Sequence, residues 1–107
     1  MASSLGYLTF ILDQLSELEA VRYRSMMGEY LLWYLDKLFG GIYDDRLLVK
    51  DIPASRSRLP GAALEEPYPG AKLMLLVDRV DEAEFLCSLV RDMEPELPKR
   101  KKKKRSV

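Results

Sequence analysis

The chain has 107 residues, one cysteine and no histidine, and its 17 basic and 17 acidic side chains cancel. A chain of this length forms one domain, and a lone cysteine excludes an intramolecular disulfide and disfavours a cysteine-based metal site. The lack of histidine removes the usual general base and the commonest metal ligand. We therefore expect no enzyme activity, no cofactor and no small-molecule substrate.

The zero net charge hides an uneven distribution along the sequence. Residues 99–105 are all basic, whereas the rest of the chain holds ten basic and 17 acidic side chains, a net charge of −7. A block of like charges repels itself and resists folding. The sequence therefore predicts a folded domain over residues 1–96 and a disordered basic tail over residues 97–107.

The basic tail is the candidate nucleic-acid site. No aromatic residue interrupts it, so base stacking is not supported, and binding would be driven by phosphates and blind to sequence. A tail that only solubilises the protein, or that contacts its acidic body, explains the composition equally well. The candidate residues are Lys99, Arg100, Lys101, Lys102, Lys103, Lys104 and Arg105.

An amphipathic helix is predicted at the start of the chain. Ser3 or Ser4 can cap it, and apolar side chains recur after the cap at helical spacing. Such a stripe normally faces the core, and the acidic polar side argues against a helix on anionic lipid. The stripe consists of Leu5, Leu8, Ile11 or Leu12, Leu15 and Leu18.

Strands joined by tight turns follow this helix. Residues 20–27 alternate arginine with apolar or small residues and predict an edge strand. Residues 29–35 are rich in aromatic and large apolar residues, which is typical of a strand. Its two faces carry Leu31, Trp33 and Leu35 on one side and Tyr30, Leu32 and Tyr34 on the other. Because neither face is polar, we expect both to be covered, one of them by a second subunit, and Trp33 to anchor the core.

Two further strands are predicted, over residues 38–43 and 47–50, with turns at Asp36-Lys37 and at residues 44–46. A glycine pair, Gly40-Gly41, interrupts the first of them. No phosphate-binding glycine motif surrounds the pair, so it indicates a bulge or a close approach of backbones.

The second half of the chain contains fewer regular patterns. Pro53 favours a short helix that ends at Pro60-Gly61, and Arg56 and Arg58 on it are expected to be solvated. Residues 61–72 are rich in proline and glycine and predict a loop, with Glu65-Glu66 in solvent. An apolar run over residues 73–77 predicts a buried strand.

A last helix is predicted from Asp81, whose spacing to Glu84 matches a capping box. Pro95 and Pro98 end it, and its apolar face is formed by Phe85, Leu86, Leu89, Val90 and Met93. Cys87 is outside that apolar set and near acidic residues, so we expect an inert thiol.

Three segments carry a resemblance to a known family. They are Arg24-Ser25-Met26-Met27-Gly28-Glu29-Tyr30, Asp36-Lys37-Leu38-Phe39-Gly40 and Asp44-Asp45-Arg46-Leu47-Leu48-Val49-Lys50. Together they resemble the N-terminal domain of the TfoX/Sxy family, bacterial regulators of competence genes, over roughly residues 3–93. The resemblance implies a fold similar to secretion-chaperone-like domains and a part in transcription regulation.

The predicted fold is α+β, an antiparallel sheet with N-terminal and C-terminal helices, in the order helix, three or four strands, helix, one or two strands, helix. The function expected is a non-enzymatic regulatory or interaction module, with a transcription-related protein as partner and nucleic acid on the tail. The alternative is a structural homodimeric adaptor. No signal peptide and no run of about 18 apolar residues is present, so we expect a cytoplasmic protein without a membrane partner.

Overall fold

A computed structural model describes residues 3–98 and confirms the α+β class. Helix α1 (Leu5–Gln14) is followed by strands β1 (Val21–Met26), β2 (Glu29–Tyr34), β3 (Lys37–Ile42) and β4 (Leu47–Val49). Helix α2 (Pro53–Arg58), strands β5 (Leu64–Glu65) and β6 (Met74–Leu76) and helix α3 (Ala83–Met93) complete it, and a short 3₁₀ turn spans Glu94–Glu96. The candidate tail residues 99–105 lie outside the described residues.

The six strands form one antiparallel sheet in the order β1-β2-β3-β4-β6-β5. The edge strand predicted over residues 20–27 is β1, because among the strands of residues 3–98 it pairs with β2 alone. The sheet's other end was not predicted: β5 lies inside the loop expected over residues 61–72, and Glu65, expected in solvent, forms an ion pair with Arg46.

Three tight turns connect the first four strands. Their central residues are Met27-Gly28, Leu35-Asp36 and Asp44-Asp45, and all six have positive φ. Positive φ at both central positions defines the type I′ turn, whose twist matches that of a hairpin. The turn predicted at Asp36-Lys37 is therefore one residue too late.

Strand β3 contains the predicted bulge immediately before its glycine pair. The β2–β3 register shifts there, with Leu32 opposite Gly40 and Trp33 opposite Leu38, so that Phe39 is the extra residue. A Cβ on Gly40 would overlap the Leu48 carbonyl oxygen on β4. Only glycine allows this approach of β3 to β4.

The core lies between one face of the sheet and the helices. Leu8 and Ile11 of α1 and Leu86 and Val90 of α3 pack there against strand residues that include Leu32. Ser4 caps α1 by accepting a hydrogen bond from the Tyr7 backbone N–H at 3.1 Å, as one of the two expected caps. Leu97, assigned by the sequence to the tail, is also buried in this core.

Three predictions about side chains are wrong. The capping box at the start of α3 does not form, because the N-cap residue is Glu82 and its side chain accepts hydrogen bonds from Arg79 rather than from the helix backbone. Cys87 is part of the core rather than outside the apolar set. Arg58, expected to be solvated, is partly buried and forms an ion pair with Asp92, whereas Arg56 is exposed as expected and pairs with Asp51.

Trp33 does not anchor the core. It is half-buried and lies on the opposite face of the sheet from Leu32, because neighbouring residues of a strand point to opposite faces. Among residues 3–98, no helix is both long and apolar enough to cross a bilayer.

Candidate functional site

The sheet face that points away from the helical core is the candidate site. We call it the outer face and define it by Leu31, Trp33, Leu38, Leu48 and Met74, which share a side of the sheet by strand register. No helix of the described part of the chain covers this face in the way that α1 and α3 cover the core side.

The loop between β5 and β6 covers part of the outer face. Its Tyr68 ring lies 6.3 Å from the ring of Tyr43, and Pro67 beside it is buried. Tyr43 and Leu48 under the loop are buried although they are outside the helical core. Burial and the nearby Tyr68 and Glu29 raise the pKa of Tyr43 above its usual value, so this phenol is neutral at physiological pH.

An open groove remains beside the loop, with a volume of about 890 Å³. Met26, Leu31, Leu38, Leu73 and Met74 form much of its wall. Met26 is 38% exposed and Leu73 is 49% exposed, so large apolar side chains meet solvent at the rim. Pro98, the last described residue, also lines the groove.

Basic side chains surround this apolar groove. Lys50 and Lys72 line it, and Arg24 lies opposite Leu31 on the outer face. Within residues 3–98 none of these three forms an ion pair, whereas the lining carboxylate Asp51 is bound by Arg56. The Arg56 guanidinium lowers the pKa of Asp51, which keeps that pair ionised. Among the described side chains that line the groove, two lysines outnumber the single carboxylate, so the lining is on balance basic although the sequence outside the tail is acidic.

The edge strand β1 borders the groove through Met26. The Leu35 backbone N–H donates to the Ala20 carbonyl oxygen at 3.2 Å, which places that pair in a hydrogen-bonded register position. Hydrogen-bonded pairs alternate along an antiparallel ladder, so Arg22, Arg24 and Met26 bond to β2. The N–H and C=O groups of Val21, Tyr23 and Ser25 point away from the sheet.

No group of three or more acidic or cysteine side chains within residues 3–98 is suited to hold a metal ion. The Cys87 thiol is buried and lies 3.5 Å from the Gln14 carbonyl oxygen, and burial raises its pKa. Such a thiol is a poor nucleophile at neutral pH.

One comparison with known proteins gives a relative. The chain is 35% identical over 105 residues to a protein of Spirochaeta aurantia described as an uncharacterized 12.7 kDa protein in the trpE 5′ region. The match covers 97% of this chain and 91% of the relative. The chain belongs to the same family as this spirochaete protein. No protein-family model matches the chain, and no solved structure matches it.

Proposed function

We propose that the chain is a non-enzymatic interaction module that binds a protein partner in the groove of its outer face. The observation that carries this proposal is the groove itself, an open apolar depression with exposed Met26 and Leu73 at its rim. Concave apolar surfaces with a polar rim are the usual binding sites of soluble domains. The thiol of Cys87 is buried and neutral, and the chain has no histidine. Neither observation favours a catalytic role over binding.

We assign the module to regulation, with a transcription-related protein as its partner in the cytoplasm. The support for this part is the resemblance of residues 24–30, 36–40 and 44–50 to the TfoX/Sxy N-terminal domain. The basic tail then adds weak, nonspecific affinity for nucleic acid.

Site-specific photo-cross-linking tests the groove. A photoreactive amino acid replaces Leu38 in the groove or, as the control, exposed Glu84 on α3. We expect the Leu38 position to cross-link to one protein in a lysate that contains the natural partners, and the Glu84 position not to do so. Equal labelling from both positions, or none from Leu38, would contradict the proposal.

A homodimer is the second candidate function, because half-buried Leu31, Trp33 and Leu38 on the outer face can also pack against a second copy. Sedimentation equilibrium separates the candidates, since the monomer has a mass of 12.3 kDa. A measured mass of twice that value, which Leu38→Glu reduces to the monomer mass, would favour the homodimeric adaptor. A monomer at high micromolar concentration leaves the outer face available to another protein.

A further inference from the structure

We propose that the partner contributes an extended acidic segment that pairs with β1 as a seventh strand and inserts an apolar side chain into the groove. This inference rests on the proposed function, because it names the chemistry of the segment that the groove receives. It combines three observations: the free hydrogen-bonding edge of β1, the arginines on that strand, and the contact of Met26 with the groove.

The backbone of β1 can accept another strand. It has six residues, and all but the first are exposed. Val21, Tyr23 and Ser25 point their N–H and C=O groups outward, as the register of the Ala20–Leu35 pair requires. None of them is proline, so each can both donate and accept a hydrogen bond. An extended peptide of about six residues matches this edge, because strands add one residue per roughly 3.4 Å.

The charges on β1 select an acidic segment. Arg22 and Arg24 project from the same side of the strand, and an added antiparallel strand places one side chain directly opposite each of them. Arg22 pairs with Asp36 at 3.3 Å, but Arg24 has no carboxylate partner within residues 3–98. A carboxylate opposite Arg24 is therefore favourable, and Lys50 and Lys72 extend the positive charge around the groove.

The same charges disfavour a second copy of this chain at the edge. In an antiparallel pairing of two β1 strands centred on Arg22, Tyr23 or Arg24, an arginine of one copy lies opposite an arginine of the other. Like charges at directly opposed positions destabilise a sheet. The edge thus excludes self-pairing in these registers while it remains open to an acidic strand.

The position of Met26 requires that the added segment also carry an apolar side chain. It ends β1, lies on the same side as Arg22 and Arg24, and lines the groove. The predicted segment therefore has an apolar residue opposite Met26, then carboxylates at the second and fourth positions after it. Its side chains at the intervening positions lie on the Tyr23 side of the sheet.

A defined peptide tests this inference without knowledge of the natural partner. The probe is the capped hexapeptide Leu-Thr-Glu-Thr-Glu-Thr, and the control probe carries lysine in place of both glutamates. We expect NMR titration to show tighter binding of the acidic peptide, with slower amide exchange at Tyr23 and Ser25. We expect the preference to weaken as added salt screens the charge pairs.

Two substitutions separate the contribution of backbone hydrogen bonds to peptide binding from the contribution of charge pairs. Ser25→Pro removes an outward N–H without removing a β1–β2 hydrogen bond, and Ser25→Thr is its matched control. We expect Ser25→Pro to weaken acidic-peptide binding by about tenfold or more, since it blocks strand addition. Arg24→Glu should leave the fold intact and reverse the preference towards the lysine peptide.

The outcomes distinguish this inference from the proposed function. Equal affinity for the two peptides, or unchanged acidic-peptide binding after Ser25→Pro, would overturn the pairing of an acidic strand with β1. Partner cross-linking from the Leu38 position would then still support the groove. Conversely, the Leu38 position could fail to cross-link while the acidic peptide still binds in a way that depends on Ser25. That result would reject the groove as the partner's binding site and support strand addition at β1.

Discussion

At the scale of single residues, Gly40 is a position where the sheet tolerates no side chain. A Cβ there would overlap the Leu48 carbonyl oxygen and lie 2.9 Å from the Val49 Cα, both of which are backbone atoms of β4. We expect Gly40→Ala to lower the free energy of unfolding by about 2–3 kcal/mol, because the strands must separate to accept the methyl group. Urea denaturation measures this loss.

Gly6 provides the matched control for this substitution. It lies within α1, and a Cβ there meets no atom within 4 Å. Alanine in a helix is favoured over glycine by about 0.5–1 kcal/mol, so Gly6→Ala should stabilise the protein. If both substitutions lowered the free energy of unfolding by the same amount, the close approach of β3 to β4 would not be the reason that position 40 requires glycine.

Leu35 is held in a backbone conformation that costs energy. Its φ is 52° at the first central position of a type I′ turn, where Asn or Gly is preferred. An L-residue with a Cβ pays roughly 1–2 kcal/mol in that region. We expect Leu35→Asn to raise the free energy of unfolding by about 0.5–1 kcal/mol in thermal or urea denaturation.

Leu64 is a suitable control for Leu35, since the two side chains are similarly exposed, at 43% and 45%. Leu64 lies in β5 and is not among the residues with positive φ. Leu64→Asn should therefore give no gain. A gain from Leu64→Asn equal to that from Leu35→Asn would assign the effect to lost apolar exposure instead.

Cys87 gives the protein a pH dependence above neutrality. The side chain is 2% exposed, and burial raises its pKa above the ordinary value of 9.0. A group with a raised folded-state pKa stabilises the protein below the unfolded pKa, and that contribution is lost as the pH rises through the folded pKa. Cys87→Ala removes this dependence, although it also costs stability at pH 7 through lost packing.

We therefore expect the stability difference between wild type and Cys87→Ala to shrink as the pH rises past about 8.5, where about half of the unfolded thiol is ionised. Urea denaturation at pH 7.5, 9 and 10 measures it. Tyr7 and Tyr43, whose pKa values are raised above 10.0 by burial, are present in both proteins and affect both equally. A constant difference over this range would contradict the argument.

At the scale of secondary-structure elements, Lys37 connects the start of β3 to the end of α3. Its Nζ donates to the Glu94 carbonyl oxygen at 3.0 Å and to the Glu94 carboxylate at 2.7 Å. The side chains are only 15% and 27% exposed, compared with 68% and 63% for Arg22–Asp36. Shielded charged hydrogen bonds contribute more than solvated pairs.

Double-mutant cycles test this difference between the two pairs. We expect a coupling free energy of about 1–2 kcal/mol for Lys37→Ala with Glu94→Ala. For the exposed control pair, Arg22→Ala with Asp36→Ala, we expect about 0.5 kcal/mol or less. Equal coupling in the two cycles would show that shielding does not strengthen the Lys37 bridge.

The elements that were predicted from the sequence are those with a hydrophobic pattern or a clear local signal, such as Pro53 at the start of α2 and the apolar run that contains β6. Helix α1, strands β1 to β4 and helix α3 all follow apolar spacing that local geometry requires. The two-residue strand β5 has no such pattern, because two residues cannot show alternation. The turn at Leu35-Asp36 was placed one residue late because leucine at its first position continues the apolar pattern of β2.

The candidate site was less accessible to sequence reasoning than the fold. Alternation shows that Leu31 and Trp33 share a face, but not which face the helices cover. That depends on where α1 and α3 return to the sheet, which is a tertiary property. The sequence therefore placed Trp33 in the core, whereas the structure places it beside a groove whose far wall, Leu73 and Met74, lies some forty residues later.

At the scale of the whole molecule, charge is divided between an acidic body and a basic tail. The tail holds seven positive charges, and the remaining residues carry a net charge of −7. The body should repel phosphate, so we expect the tail to carry the affinity for nucleic acid. Binding to duplex DNA should be weak, at roughly 10⁻⁴–10⁻⁶ M in physiological salt, and insensitive to base sequence.

Fluorescence anisotropy with two unrelated duplexes tests this division, using the full chain and a form that ends at Pro98. If five to seven charges each neutralise a phosphate, log affinity should fall against log salt with a slope of about −4 to −6. Removal of residues 99–107 should abolish binding to both duplexes. Because Arg22, Arg56 and Arg58 each have a carboxylate partner, retained binding by the shortened form would point to Lys50, Lys72 and Arg24, which have none within residues 3–98. In that case phosphate and the acidic segment would compete for the same basic side chains, and Arg24→Glu would weaken both activities. No binding by either form at low salt would leave the tail as a solubilising segment and the groove as the place where partners bind.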